Sequence, residues 1–258
     1  MTKYDLKLRP IHYACVSGGK DSLYMLNLIL HNLDKYPLDM VVHYQLEIDY
    51  PFVEDVITYM EKECLTHDIK FVRVKPHHTW LELYNKYGFP TRKARWCNSR
   101  YKLDADKQVV DYIKSLGCRP VAYIGFCYDE KQRFKYILGN WKQEDICYPL
   151  AEEKINEIDI LHWARNVELF NGWYKIFKRQ GCMCCPMATK LEQAYIYKYY
   201  PTQFYKIMSY AKETEISREK ELGRKFSVWS SNPCYDTDYL IKIIKDKWLA
   251  KLEQIEKN

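Results

Sequence analysis

The sequence predicts an α/β protein, a doubly wound and mainly parallel sheet followed by a helical, cysteine-rich C-terminal subdomain. Three observations predict it. Short apolar runs alternate with helix-patterned segments along the first part of the 258-residue chain, a glycine turn joins the first run to the first helix, and the alternation stops after Pro149. The expected division is residues 1–150 for the α/β domain and 151–258 for the helical subdomain.

Each element has its own reason. Ile11–Val16 is an apolar run ending at Ser17-Gly18-Gly19, which reads as a buried strand. Asp21–Leu33 follows with Leu23, Leu26, Leu30 and Leu33 at helical spacing. Met40–Tyr44 fits a second strand, and Pro51 suits the first turn of a helix reaching His67. Ile69–Val74 alternates as a strand, Thr79–Tyr87 reads as a helix, and Cys97–Leu116 carries Val109, Val110 and Ile113 of another. Val121–Phe126 is the next buried strand. Beyond Pro149 the pattern predicts a helix over Asp159–Phe170, a cysteine-rich loop, a single Tyr- and Lys-rich helix over Leu191–Glu213, and a last helix over Asp236–Lys257. There is no internal repeat and no low-complexity linker.

Hydrophobic content of 47% and charged content of 29% are those of a folded chain with an ordinary core. No stretch approaches the roughly 20 consecutive apolar residues that a membrane span needs. The first residues lack the apolar core of a signal peptide, so the expected location is cytoplasmic. In that reducing compartment, ten cysteines point to buried thiols, metal ligands or redox groups rather than to disulfides. A net charge of +6 favours anionic ligands and permits nucleic acid.

Ser17-Gly18-Gly19-Lys20-Asp21-Ser22 stands between the first strand and the first helix, an arrangement suited to holding phosphate. Glycines let the backbone approach an anion, and amides at a helix N-terminus point at it. Lys20 adds a charge, and the Ser17 and Ser22 hydroxyls add donors. A Walker A loop is excluded, because Ala14 and Asp21 stand where it needs Gly and Ser or Thr, and the Gly-x-Gly-x-x-Gly fingerprint is absent. A bare glycine turn with a helix cap is the bland alternative.

Further along, Cys182-Met183-Cys184-Cys185-Pro186 places Cys182 and Cys185 two residues apart on a Gly-led loop, so both thiolates can reach one metal. One such pair does not complete a four-thiolate site. An iron–sulfur cluster, a zinc ion and plain buried thiols all remain open on this spacing. Cys15, Cys64 and Cys118 fall within strand or helix patterns and read as core residues, whereas Cys127 and Cys147 are undecided.

The hexapeptide resembles the PP-loop of the ATP pyrophosphatase and adenine-nucleotide α-hydrolase superfamily. Arg95-Trp96-Cys97-Asn98-Ser99-Arg100-Tyr101-Lys102, the stretch from Gly125 to Arg133, and Gly181–Pro186 extend the resemblance. In that order they resemble the phosphoadenosine phosphosulfate (PAPS) reductase-like branch, which also includes sulfur-transfer enzymes of DNA phosphorothioation. The resemblance implies an adenine nucleotide, ATP or a relative, bound with Mg²⁺ at Ser17, Gly18, Gly19, Lys20, Asp21 and Ser22. Lys20, Asp21 and Arg133 are the catalytic residues it implies. It also implies a 4Fe-4S cluster on Cys97, Cys182 and Cys185, with Cys184, Cys234 or no protein residue as the fourth ligand. Family members with a complete cluster often have a cysteine pair where this chain has Cys97-Asn98.

Five of the residues from Thr91 to Lys102 are basic, namely Arg92, Lys93, Arg95, Arg100 and Lys102. Beside Cys97, Arg95, Arg100 and Lys102 read as an anion-binding wall for sulfate, phosphate or a nucleic-acid backbone. Glu130 is expected to fix the Arg133 guanidinium near phosphate. Glu47-Ile48-Asp49 stands where many relatives have Asp-Thr-Gly, so Asp49 is a further candidate. The tyrosines from Tyr195 to Tyr210 suit either base stacking or helix packing. His77-His78 is read as loop chemistry, not a metal site.

Three activities are weighed. The first is ATP-dependent sulfur transfer, in which the PP-loop adenylates an acceptor, nucleic acid (DNA or tRNA) being one candidate, with a protein as sulfur donor. The second is reduction of a sulfonucleotide to sulfite, which in relatives uses a cysteine near the C-terminus, whereas the last cysteine here is Cys234. The third is a nucleotide- and nucleic-acid-binding subunit without turnover. No membrane partner is expected, and a homo-oligomer is compatible with the sequence.

Overall fold

The computed structural model describes residues 8–130, 132 and 145–257. The chain divides into two compact units, each built from separate stretches. The first comprises Met1–Leu46, Tyr50–His77 and Asp104–Gln180, and the second Glu47–Asp49, His78–Leu103 and Gly181–Asn258. These limits differ from the division expected near residue 150. The α/β unit continues to Gln180, and the stretch carrying Cys97 belongs with the later residues.

The first unit is built on β1 (Pro10–Val16), β2 (Met40–Tyr44), β3 (Lys70–Val74), β4 (Arg119–Tyr123) and β5 (Ile146–Cys147). All four pairings are parallel, and the strand order is β3-β2-β1-β4-β5. Helices α1 (Lys20–Leu30), α2 (Phe52–Thr66) and α4 (Leu103–Ser115) lie along the chain between strands, α3 being Trp80–Tyr87. On one sheet face Tyr13, Met40, Val42 and Ala122 pack with Val109, Val110 and Ile113 of α4. Strand alternation turns His12, Ala14 and Val16 to the opposite face. Succession runs one way from β1 through β2 to β3, and β4 lies on the other side of β1. The crevice at the carboxyl ends of β1 and β4 is therefore the topological switch point, where open α/β sheets bind ligands.

Several boundaries differ from the sequence pattern. The fourth strand starts at Arg119 and stops at Tyr123, because its register is set by pairing Pro10 with Arg119 on β1. The helix expected over Asp159–Phe170 ends at Ala164 and is followed by a 3-10 turn over Glu168–Phe170. This helix, Glu157–Ala164, is α6, after α5 (Pro149–Glu152) and before α7 (Trp173–Ile176).

The second unit is helical: α3, α8 (Lys190–Tyr199), α9 (Pro201–Leu222), α10 (Thr237–Ile243) and α11 (Leu249–Lys257). The single helix expected over Leu191–Glu213 is two, because Pro201 lacks an amide to continue α8 and takes the first position of α9. Thr79 and Thr189 cap α3 and α8 with complete capping boxes through Glu82 and Glu192. Trp80 stacks on Tyr84, Tyr210 packs tilted against both, and Phe89 packs on Trp229. Phe204 is fully buried, so this part of the tyrosine-rich stretch packs, while Tyr199 and Tyr205 stay exposed. Buried Glu215 accepts the amides of Val228 (3.1 Å) and Thr237 (3.0 Å), pinning the loop that carries Trp229.

Candidate functional site

In the first unit the chain leaves β1 at Ser17 and enters α1 at Lys20. Gly18 has φ +74°, and a Cβ there would lie 2.7 Å from Val53 Cγ1, so conformation and space both require glycine. Gly19 occupies the N-cap of α1 and supplies no side-chain cap. The first amides of α1 are thus left for other acceptors, the condition for an anion site at a helix start. Ser22 Oγ donates to Gly19 O (2.9 Å) and accepts from Ser17 N (3.2 Å), which closes the loop on itself. From the end of β4, Gly125 reaches the same loop. A Cβ on Gly125 would stand 3.1 Å from Asp21 O.

Lys20 is 1% exposed, and its Nζ contacts Asp21 Oδ1 at 2.7 Å and Glu157 Oε1 at 3.4 Å. Burial raises the Asp21 carboxyl above its ordinary range, with Lys20 pulling the other way. The ammonium rests between two carboxylates. Burial also keeps the neighbouring Cys127 a thiol, which lies 3.7 Å from Asp21 Oδ1. Besides Glu157, two residues not foreseen from the sequence complete the loop's surroundings. The Tyr174 hydroxyl accepts the Lys20 backbone N–H at 2.9 Å, and Gln180 Oε1 is buried beside Gly19 without a hydrogen-bond partner among the described residues. Both lie more than a hundred residues from the loop, with no spacing that links them to it.

Glu130 accepts the Cys127 amide at 3.2 Å within the short turn after β4, and Asp129 accepts the Glu157 amide at 3.1 Å. Arg133, the expected partner of Glu130, lies outside the described residues.

The second unit gathers the cysteine chemistry. Cys97 opens a π-helical turn, Cys97–Lys102, a wide geometry frequent at functional sites. Cys182 and Cys184 are buried, and the Cys185 amide donates to Cys182 O at 3.1 Å in a tight turn. The Met183 amide donates to Ile48 O at 2.9 Å, which ties this loop to the Glu47–Asp49 stretch. The thiols act on one another. Cys182 and Cys185 share a hydrogen bond that raises the first and lowers the second. Burial pushes Cys184 up to about 12, with Cys97 and Cys185 adding to the effect. Burial raises Cys97 too, with Lys102 opposing. Burial disfavours the Lys102 charge, yet Cys182, Asp49, Cys97 and Cys185 together hold its pKa above the ordinary value. Asp49 is pushed up to about 6 by burial, against the pull of Lys102.

Three thiols and a carboxyl around one ammonium, with Cys184 beside Cys97 and Cys185, are a soft donor set with built-in charge compensation, which fits an iron–sulfur cluster or zinc. No group of three or more Cys, His, Asp or Glu side chains among the described residues surrounds a common centre. Cys234 stands apart. It is exposed, and its amide bonds the Asn232 side chain at 3.0 Å. Arg95 and Arg100 are exposed and take part in no ion pair among the described residues, although Arg100 lies over the Tyr87 ring at 5.3 Å. His77 bonds Asp104 at 3.0 Å and holds a loop.

A parallel sheet with a glycine-cradled helix start at its switch point defines the class as a PP-loop α/β protein. Residues 11–188 match the phosphoadenosine phosphosulfate reductase domain, and the chain belongs to that family. An uncharacterized protein of Methanocaldococcus jannaschii is 27% identical over 234 residues, covering 84% of this chain and 51% of its own length. The chain thus spans about half the length of that curated relative. Among solved structures, the U34-tRNA thiolase NcsA from Methanococcus maripaludis with its 4Fe-4S cluster is similar at 16% identity and a TM-score of 0.42, over 94% of this chain and 75% of that one. Among the described residues no helix is long and apolar enough to cross a membrane.

Proposed function

We propose that the chain is an ATP-dependent sulfur-transfer enzyme of the PAPS reductase family. The observation that carries this reading is the pairing, within the family-matched residues, of an uncapped helix start behind Gly18-Gly19 with a group of cysteines around Lys102. In this reading the α1 amides, Ser17 and Ser22 bind nucleotide phosphates. Lys20 moves from Asp21 and Glu157 to the phosphate charge that develops as the bond breaks. An oxygen of the acceptor attacks the α-phosphorus, pyrophosphate leaves, and the acceptor carries AMP. A sulfur nucleophile then displaces AMP, so the acceptor's C–O bond is exchanged for C–S. Mg²⁺ would enter with the nucleotide, and Asp21 offers a carboxylate on the loop itself.

Cys97, Cys182 and Cys185 would hold a 4Fe-4S cluster, with Cys184 better placed than Cys234 as a fourth ligand because Cys184 alone of the two interacts with Cys97 and Cys185. With Cys97, Cys182 and Cys185 as its only protein ligands, such a cluster would leave one iron open to bind sulfide, whereas a fourth thiolate from Cys184 would close it. Lys102 offsets the negative charge of the thiolates, and Arg95 and Arg100 orient the anionic acceptor. A nucleic acid, DNA or tRNA, is the acceptor we favour, with a protein as sulfur donor and the cytoplasm as location.

Purified protein with ATP, Mg²⁺ and candidate acceptors is expected to release pyrophosphate in proportion to acceptor. Absence of pyrophosphate with every acceptor removes the adenylation step. The family match itself favours a second reading, reduction of a sulfonucleotide to sulfite. Thioredoxin-dependent sulfite release from PAPS, without ATP consumption, would establish that reading instead.

A further inference from the structure

A cavity of about 260 Å³ in the second unit is bordered by Arg92, Lys190, Gln193, Trp229, Tyr235 and Tyr239. We infer that it is a pocket for one unpaired base of a single-stranded nucleic acid, held beside the cysteine loop. This assignment rests on the sulfur-transfer reading for its purpose, though not for its chemistry.

The chemistry comes from the walls. Three aromatic side chains border the space, and Trp229 already spends its indole N–H on Thr237 Oγ1 at 3.0 Å, so what its ring offers a ligand is apolar surface. Two cations complete the rim. Lys190 Nζ lies over the Tyr235 ring at 5.5 Å, and Arg92 Nε donates to Pro186 O at 3.4 Å. Aromatic rings with interspersed cations are the way proteins hold a base and its flanking phosphate. At its size the cavity takes a single ring system and not a large cofactor.

Gln193 supplies the sharper argument. It borders the cavity, is 1% exposed, and neither its amide nitrogen nor its oxygen has a partner among the described residues. A buried carboxamide left without partners is unfavourable, so it calls for a ligand that offers both an acceptor and a donor. The edge of a nucleobase presents that pair. An acyl chain presents neither. Position agrees with this assignment. Pro186, which immediately follows Cys185, and Ala188 also line the cavity, so a base seated there sits beside the end of the cysteine loop in the same unit.

The test is fluorescence anisotropy with the full chain and a labelled ten-nucleotide single strand, its copy with a central abasic site, and its duplex, each in ribose and deoxyribose form. The wild type is expected to prefer the single strand over the abasic strand and the duplex. Tyr235→Ala and Gln193→Met are each expected to weaken single-strand binding roughly tenfold and to erase the preference over the abasic strand. Gln193→Met is also expected to keep or raise the melting temperature, because it removes two unsatisfied polar atoms, and to leave ATP affinity unchanged. Wild-type protein that binds the abasic strand equally well, or variants that bind as the wild type does, overturns the base pocket. If Gln193→Met does not fold, Tyr235→Ala decides alone, since Tyr235 is 40% exposed. Acceptor-dependent pyrophosphate release without single-strand binding would leave the sulfur-transfer reading standing and the pocket refuted.

Discussion

Gly18 combines two constraints that separate experimentally. Alanine at a left-handed position costs about 1–2 kcal/mol from the backbone alone, and here its Cβ also meets Val53 Cγ1 at 2.7 Å. Gly18→Ala is expected to lower the melting temperature, and adding Val53→Ala to relieve only the steric part. Gly125→Ala should act differently. Its Cβ would press on Asp21 O at 3.1 Å, so nucleotide affinity falls more than stability does, as calorimetric titration beside thermal melts would reveal. His43, 3% exposed, donates Nδ1–H to Val16 O at 3.1 Å, and burial lowers its pKa. The unfolded chain therefore takes up that proton first on acidification. Stability present above about pH 6.5 is lost as pH falls through the lower folded value. His43→Asn keeps a donor for Val16 and removes the titration, so its urea midpoint should change less between pH 7.5 and pH 5.

At the scale of elements, the start of α1 holds its own substitute ligand. The Tyr174 hydroxyl occupies the Lys20 amide at 2.9 Å. Tyr174→Phe leaves that buried amide unsatisfied, an expected loss of about 1–3 kcal/mol. If a nucleotide phosphate takes over the amide, the loss shrinks at saturating ATP. Melting curves with and without ATP measure the difference, and an equal loss in both would place Tyr174 outside the phosphate site. This element was only half legible in the sequence. The loop and its helix were readable because six adjacent residues carry strand end, glycines and first turn together. Tyr174, Glu157 and Gln180 were not, because tertiary folding brings them there and no period announces it. Pro201 was legible but outweighed by the tyrosine spacing on either side, and β5 has two residues, too few to show a period.

For the whole molecule, the cysteines give the plainest prediction. After anaerobic purification, Cys97→Ser, Cys182→Ser and Cys185→Ser are expected to lose iron, and Cys234→Ser to retain it. Iron and sulfide analysis per chain checks this, and stoichiometric zinc in the wild type would remove the cluster. The pairing of Cys182 with Cys185 was readable from spacing. Bringing in Cys97 rested on resemblance, since 84 intervening residues carry no geometric information and only the fold puts the π-helical turn in the same unit as the loop.

That allocation has a consequence for how such a protein is taken apart or recombined. The chain passes between its units after Leu46, Asp49, His77, Leu103 and Gln180, so Cys97 is carried by a detour between β3 and α4 rather than by an appended tail. A fragment ending at Gln180 would keep the nucleotide loop and strand Cys97 without its companions. Grafting the cysteine centre onto another α/β chain would need two transplants made together, one internal and one terminal. Neither half of the thiol chemistry is a portable module.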